Sequence, residues 1–471
     1  MATDRPAGAS PTHLAALQLG WGSVGYRFRE SLFALPALIV AVGAVVAEGV
    51  GVVDRRLVSD PPPWAGEVST VTAQWLLSTV AGATITTAGV VFSLTVVSLQ
   101  LASSQFSPRV MRSFIRDRLS QVVIGALVAT FVHCILTLRR LPGDQAAPAP
   151  PLGVAVAVVL ALTTVLLIVA HLDHLARRLQ VGELVGAIAH EGVEMLASVR
   201  RSVRAEQPLT GPVPTPHDEV VVRSPVDGWV TAALGDRMLQ AVPPGTTVRV
   251  ETRTGAYIHA GEPLVTVWPA DERTRRRVRG LASTVGVASS RTMQEDVDFA
   301  IRQLVDIGLR ALSPAVNDPT TAVEVVLRLG GLLRRLLVSD LPAEAVAGPG
   351  GRVLLRPWNL RHEEYLDHAL EQLRHSGADQ PLVMAALLRV LRMLIVHVEE
   401  QDRPQLVAPL QQHLALVREA ARTGRGVQQA DLDRLDQIAA APTDPADHTP
   451  HLQTEAEPDP SDRDRERGRR R

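Results

Sequence analysis

Four long apolar segments, residues 31–53, 76–101, 121–138 and 152–170, stand out from an otherwise polar chain. Each approaches or exceeds the ~18–20 residues that a helix needs to cross roughly 30 Å of hydrocarbon. Backbone polar groups in lipid must be satisfied internally, so these segments are expected to be transmembrane helices. About 300 residues follow the fourth segment with a far more polar texture. The pattern predicts a four-helix membrane region joined to a large soluble part.

Arginine placement orients the segments. Arg27 and Arg29 precede the first segment, Arg109, Arg112, Arg116 and Arg118 fill the loop between the second and third, and Arg177 and Arg178 follow the fourth. The opposite side carries Arg55, Arg56, Arg139 and Arg140, giving eight against four. Positive charge accumulates on the cytoplasmic side. Both termini and the soluble part are therefore expected in the cytoplasm. Trp64 and Trp75 suit an outer aromatic belt, and Trp21 and Tyr26 an inner one.

Periodicity divides the rest. Residues 1–25 read as a loose N-terminus and 26–175 as the membrane domain; 176–216 read as a juxtamembrane helix and linker. Short alternating strands broken by Gly and Pro predict a small β-rich domain over 217–270. A helical domain is expected over 271–440, with helices at 291–312, 319–337, 361–373, 381–398, 404–423 and 430–440 and one strand at 352–357. Residues 441–471 are Pro-, Asp- and Arg-rich with almost nothing apolar, which predicts a disordered tail. The fold class is thus an α-helical membrane protein with an α+β cytoplasmic domain.

Composition removes several chemistries. Basic and acidic residues nearly balance, at 48 and 49, which gives no reason to expect a nucleic-acid partner. All 48 basic residues are arginine. A Schiff-base lysine, a P-loop lysine and a lipoyl-lysine are therefore excluded. Cys134 is the single cysteine and reads as a packing residue in the third segment. Zinc-protease, Rossmann and nucleophile–base motifs do not occur, so no enzyme activity, cofactor or metal is expected.

Three groups of residues remain as candidates. Thr79, Thr86, Ser93 and Gln100 recur every seven residues in the second segment beside Gly82 and Gly89. Seven residues are close to two helical turns, so these groups share one stripe. Such a stripe serves close helix packing or, in an assembly around an axis, lines a hydrated path. It contains no ionisable group, which disfavours an ion-coupled carrier. Arg109, Arg112 and Arg116 follow 3,4 spacing and would meet lipid phosphates, or act only as a topology determinant. Asp318 before Pro319 reads as a helix cap, and Asn317–Asp318 marks the helix N-terminus to check for an anion. Glu48 reads as snorkelling outward, and His133, His171 and His174 as interfacial histidines.

The runs FSLTVVSLQLASSQFSPRV and LVDIGLRALSPAVNDPTTAVEVVLRL, with the four-segment layout, resemble the predicted bacterial membrane proteins catalogued as domain of unknown function 2254. The resemblance implies a bacterial inner-membrane location and carries no established activity. The segment from Arg223 to Leu264, with turn glycines at Gly228, Gly245, Gly255 and Gly261, resembles a barrel-sandwich module of lipoyl or membrane-fusion type. Without a lysine to modify, it is expected to serve packing or oligomeric contact. Two functions fit this pattern. One is an oligomeric channel-like or passive transport protein with a cytoplasmic regulatory domain. The other is a membrane-anchored scaffold that binds a cytoplasmic protein. The expected partners are the lipid bilayer and further copies of the chain.

Overall fold

The computed structural model describes residues 34–59, 69–105, 117–142, 149–178, 180–293 and 296–440. The chain divides into two compact units at Ile188/Ala189.

The first unit holds helices α1 (Ala34–Ser59), α2 (Thr70–Gln105), α3 (Arg118–Leu138) and α4 (Pro151–Arg178). All four run beyond the apolar segments read from the sequence. The hub is α3, which packs against each of the other three. Small residues permit that density. A Cβ on Gly43 would lie 2.9 Å from the Ala129 Cβ, and one on Gly125 would lie 3.1 Å from the Pro36 Cα. Backbones this close are how apolar helices gain attraction without a hydrophobic driving force. Cys134 is fully buried among Ala73, Leu77, Ala81 and Ala157. Large apolar side chains such as Val45, Val159, Leu162 and Leu166 point outward, inverse to a water-soluble bundle. Helix α5 (Val181–Arg204) follows, and the unit boundary falls within it.

The second unit begins with a mixed sheet. Strands β1 (Gln207–Pro208), β2 (Val220–Arg223), β4 (Thr247–Val250), β6 (Pro263–Trp268), β8 (Ala345–Gly348) and β9 (Arg352–Leu355) pair in the order β1-β8-β9-β4-β6-β2. Strands β3 (Gly228–Ala233), β5 (Tyr257–Ile258) and β7 (Val285–Ala288) form a second sheet in the order β5-β3-β7. The short helices α6 (Gly235–Ala241) and α7 (Glu272–Arg277) cross between strands. The strand-rich part therefore reaches past residues 217–270. Strand β9 joins β4 in parallel, with Val248 opposite Leu354, a pairing that spans about 100 residues of chain. Val230, Val248, Leu264, Val265 and Val267 fill the core between the sheets, all of them fully buried.

The helical part contains α8 (Val297–Ala311), α9 (Pro319–Leu336), α10 (His362–Ser376), α11 (Pro381–Glu400), α12 (Val407–Thr423) and α13 (Gln429–Ala440). Helix α8 starts at Val297 rather than at residue 291, because the Asp296 side chain accepts the Phe299 amide at 3.1 Å and caps the helix there. Helix α11 is the central member, packed by α9, α12 and α13. Among the described residues five helices are long and apolar enough to cross a membrane, α11 being the fifth. The sequence reading counted four.

Candidate functional site

Polar chemistry in the first unit gathers at the helix ends. At one end, Asp54 of α1 is 4% exposed and accepts the amides of Leu152 at 2.9 Å and Gly153 at 2.8 Å. A carboxylate from one helix thereby caps the N-terminus of another, where unpaired amides and the helix dipole favour negative charge. The His133 Nε2 donates to the Gly153 carbonyl at 3.0 Å, deep between helices rather than at an interface. Beside them Glu48 pairs with Arg139 and Arg140, and Arg140 also donates to the Ala47 carbonyl at 2.7 Å. Glu48 is thus held by ion pairs, not simply extended toward water. At the other end, Asp117 caps α3 and bonds the His174 Nε2 at 3.1 Å, while His171 is fully buried nearby.

The stripe of α2 occupies a distinct face. Thr79, Thr86, Ser93 and Gln100 are all exposed, whereas Ala73, Leu77, Ala81, Ala88 and Val91 are buried against the other helices. A Cβ on Gly82 or Gly89 would meet nothing within 4 Å. The Thr86 hydroxyl donates back to the Gly82 carbonyl at 2.8 Å, so that group carries no unmet bond. Arg109, Arg112 and Arg116 lie outside the described residues, as do Trp21, Tyr26, Trp64, residues 1–25 and residues 441–471. Asp318 accepts the Thr321 amide at 3.0 Å and caps α9. Asn317 is exposed, has φ 47° and accepts from Gln380 at 3.2 Å.

The second unit contains two features that sequence reasoning did not find. The first is a buried charge network. Arg291 donates to Asp296 at 2.6 and 2.9 Å and to Asp298 at 2.8 Å. Asp298 also takes bonds from Arg302 at 3.2 Å and from the His368 Nδ1 at 2.7 Å. Asp298 is 2% exposed and Arg291 10%. Burial alone pushes the Asp298 carboxyl up, yet the bonds from His368 and Arg291 outweigh it and hold it well below the usual carboxylate range. The Arg291 guanidinium lies over the rings of Phe299 and Trp229, at 5.2 and 5.9 Å. Gly255, at φ +82°, leaves the room: a Cβ there would stand 2.6 Å from Asp296. The network joins the β3 sheet to α8 and α10.

The second feature is a cleft of about 770 Å³ beside that network. Its apolar walls include Leu196 and Val199 of α5, Leu239 of α6, Leu336 of α9 and Leu354 of β9. Its polar lining includes Arg237, Arg253, Arg356, Glu206 and Tyr365, with Asp296 at the wall it shares with the network. Arg356 is satisfied: it forks onto Glu206 at 2.8 and 2.6 Å and donates to the Ala343 carbonyl. These residues come from positions 196 to 365, too scattered for a local motif. Their one sequence signal was Asp296-Val-Asp298 ahead of an apolar run, which resembles an ordinary helix start. Among the described residues no group of three or more His, Cys, Asp or Glu is placed to hold a metal ion.

No solved structure matches the chain. The uncharacterized protein Rv1290c of Mycobacterium tuberculosis and the uncharacterized protein Mb1321c of Mycobacterium bovis are each 32% identical to it over 362 residues, covering 74% of this chain and 68% of theirs. Residues 29–393 match the family described as predicted membrane protein, DUF2254. With several apolar helices of membrane-spanning length and that match, the chain belongs to the DUF2254 family of membrane proteins of unknown function.

Proposed function

We propose that the protein is an oligomeric, multi-pass protein of the bacterial inner membrane, of channel or passive-transport type, with α2 of each copy facing the assembly axis. Four helices cross the bilayer, both termini lie in the cytoplasm, and the second unit acts as a cytoplasmic regulatory domain. The observation that carries the reading is the exposure of Thr79, Thr86, Ser93 and Gln100 on a helix whose opposite edge is buried. A glutamine and three hydroxyls aimed at lipid gain nothing there, whereas a neighbouring copy or a water-filled path accepts them. Helix α11 is read as soluble core because it is enclosed by α9, α12 and α13 and carries Arg389 and Arg392.

Reconstitution into liposomes tests this reading. The protein is expected to raise ion or small-solute leakage, and Ser93→Leu to change that leakage without altering expression. Cysteines at Ser93 in a Cys134→Ala background should cross-link between copies. A strictly monomeric protein in mild detergent overturns the proposal. Absence of leakage, with a stoichiometric protein partner recovered from native membranes, favours the membrane-anchored scaffold instead.

A further inference from the structure

We propose that the cleft of the second unit is a receptor site for a small organic anion, one carrying a phosphate or carboxylate group on an apolar or aromatic body. Several polar groups of the cleft are already paired. Arg356 is saturated by Glu206 and the Ala343 carbonyl. Asp296 is held by Arg291 and by the Phe299 amide. What remains is Arg253, Arg237, Tyr365 and Asp236.

Arg253 is half-buried, and its partner among the described residues is the neighbouring Thr254 carbonyl at 3.3 Å. Arg237 stands exposed on the rim with no carboxylate within bonding distance among the described residues, and Asp236 is exposed beside it. The Tyr365 hydroxyl lines the same space without a hydrogen-bond partner among those residues. Burial, then the charges of Asp298 and Asp296, push its phenol up, so it stays protonated and acts as a donor. Three donors without a carboxylate partner among the described residues, two of them cations, therefore line one cavity.

A partly buried guanidinium loses hydration and regains it only from an acceptor. A carboxylate or phosphate suits the planar fork of arginine and is bound by charge-assisted bonds. The cleft volume of about 770 Å³ is in the range of small-molecule sites, roughly 300–1,000 Å³. Leu196, Val199, Leu239 and Leu336 line the remainder, so an ion without an organic body leaves those walls wet. The His368–Asp298 bond ties α10, which carries Tyr365, to the ion network, and that lowers the cost of ordering this side of the cleft. This inference is independent of whether α2 lines a path.

The test uses the full-length protein in lipid nanodiscs and isothermal titration with AMP and with 1-naphthoate, against adenosine and against empty nanodiscs. At least one of the two anions is expected to bind saturably, adenosine not at all, and the affinity to fall as salt is raised. Arg253→Gln should weaken binding roughly tenfold or more, the scale of a lost hydrogen bond to a charged group. Tyr365→Phe keeps the ring and should weaken it several-fold, which guards against a folding defect in the arginine variant. No saturable binding of either anion at millimolar concentration overturns the proposal. So does affinity left unchanged by both substitutions, or adenosine binding as tightly as AMP.

Discussion

Arg291 cross-links a buried part of the second unit's interior. Its guanidinium is surrounded by two carboxylates and two aromatic rings, and burial alone would pull it toward neutrality. The paired carboxylates keep it charged. Removing one member of such a group leaves a buried charge uncompensated, which costs more than the group as a whole contributes. Arg291→Met is expected to destabilise the second unit by about 3–5 kcal/mol, with Asp296 left unpaired. The pH dependence has a definite sign. A carboxyl held below its ordinary value, as Asp298 is, stabilises the fold above about pH 4 and loses that contribution as acid protonates it. In Arg291→Met, Asp296 keeps its burial and loses its cation, so its carboxyl is pushed further up and its cost is relieved as acid protonates it: the variant's deficit should be largest near neutral pH and shrink toward acid. Thermal unfolding followed by tryptophan emission between neutral and acid pH reads this, since Trp229 sits beneath the guanidinium. Equal acid limbs in the two proteins would count against the assignment. None of this was legible in the sequence. In a chain with 48 basic residues, Arg253 or Arg291 looks like any other arginine until the fold shows which of them has a partner.

Elements were read more reliably than residues, and the reason is length. An apolar run long enough to span a bilayer admits few alternatives to a helix, so α1 to α4 were visible as segments. Their ends were not, because polar residues such as Asp54 continue the helix when another element satisfies them. Asp54 lies inside α1 yet caps α4, about 100 residues later in the chain. Asp318–Pro319 shows the contrasting case. Cap and first helical residue are adjacent in sequence, so that helix start could be read locally. The parallel pairing of β4 with β9 was likewise invisible, since no local pattern encodes a partner so distant. Asp54→Ala exposes two amides inside the helix bundle and should lower stability by about 1–2 kcal/mol. Asp54→Asn retains one acceptor oxygen and should recover part of that loss. Unfolding in mixed micelles with increasing denaturing detergent measures both. An alanine variant as stable as the parent would show that the cap carries no weight.

Topology across the bilayer governs what every other feature means. A cleft that takes a cytoplasmic anion requires the second unit to lie inside the cell, and an axial α2 requires an odd–even alternation of the helices. The polar helix ends agree with alternation. Glu48, Asp54, Arg139 and Arg140 meet at one end of the first unit, and Asp117 meets His174 at the other. That clustering brings the C-terminal ends of α1 and α3 and the N-terminal end of α4 to the same end of the first unit. The sign comes from arginine counting, eight against four, and therefore from the sequence alone. Cysteine accessibility in a Cys134→Ala background tests it. A cysteine at Ser59 should react with a membrane-impermeant reagent in intact cells. Cysteines at Ser107 and Ser283 should react only after permeabilisation. Ser283 is exposed on the second unit, so its labelling reports location rather than burial. Labelling of Ser283→Cys in intact cells would place the second unit outside, and the arginine-lined cleft would then sample extracellular anions instead of cytoplasmic ones. Labelling of Ser59 and Ser283 from the same side would contradict four crossings altogether, because four alternating spans place the first connection and the second unit on opposite faces.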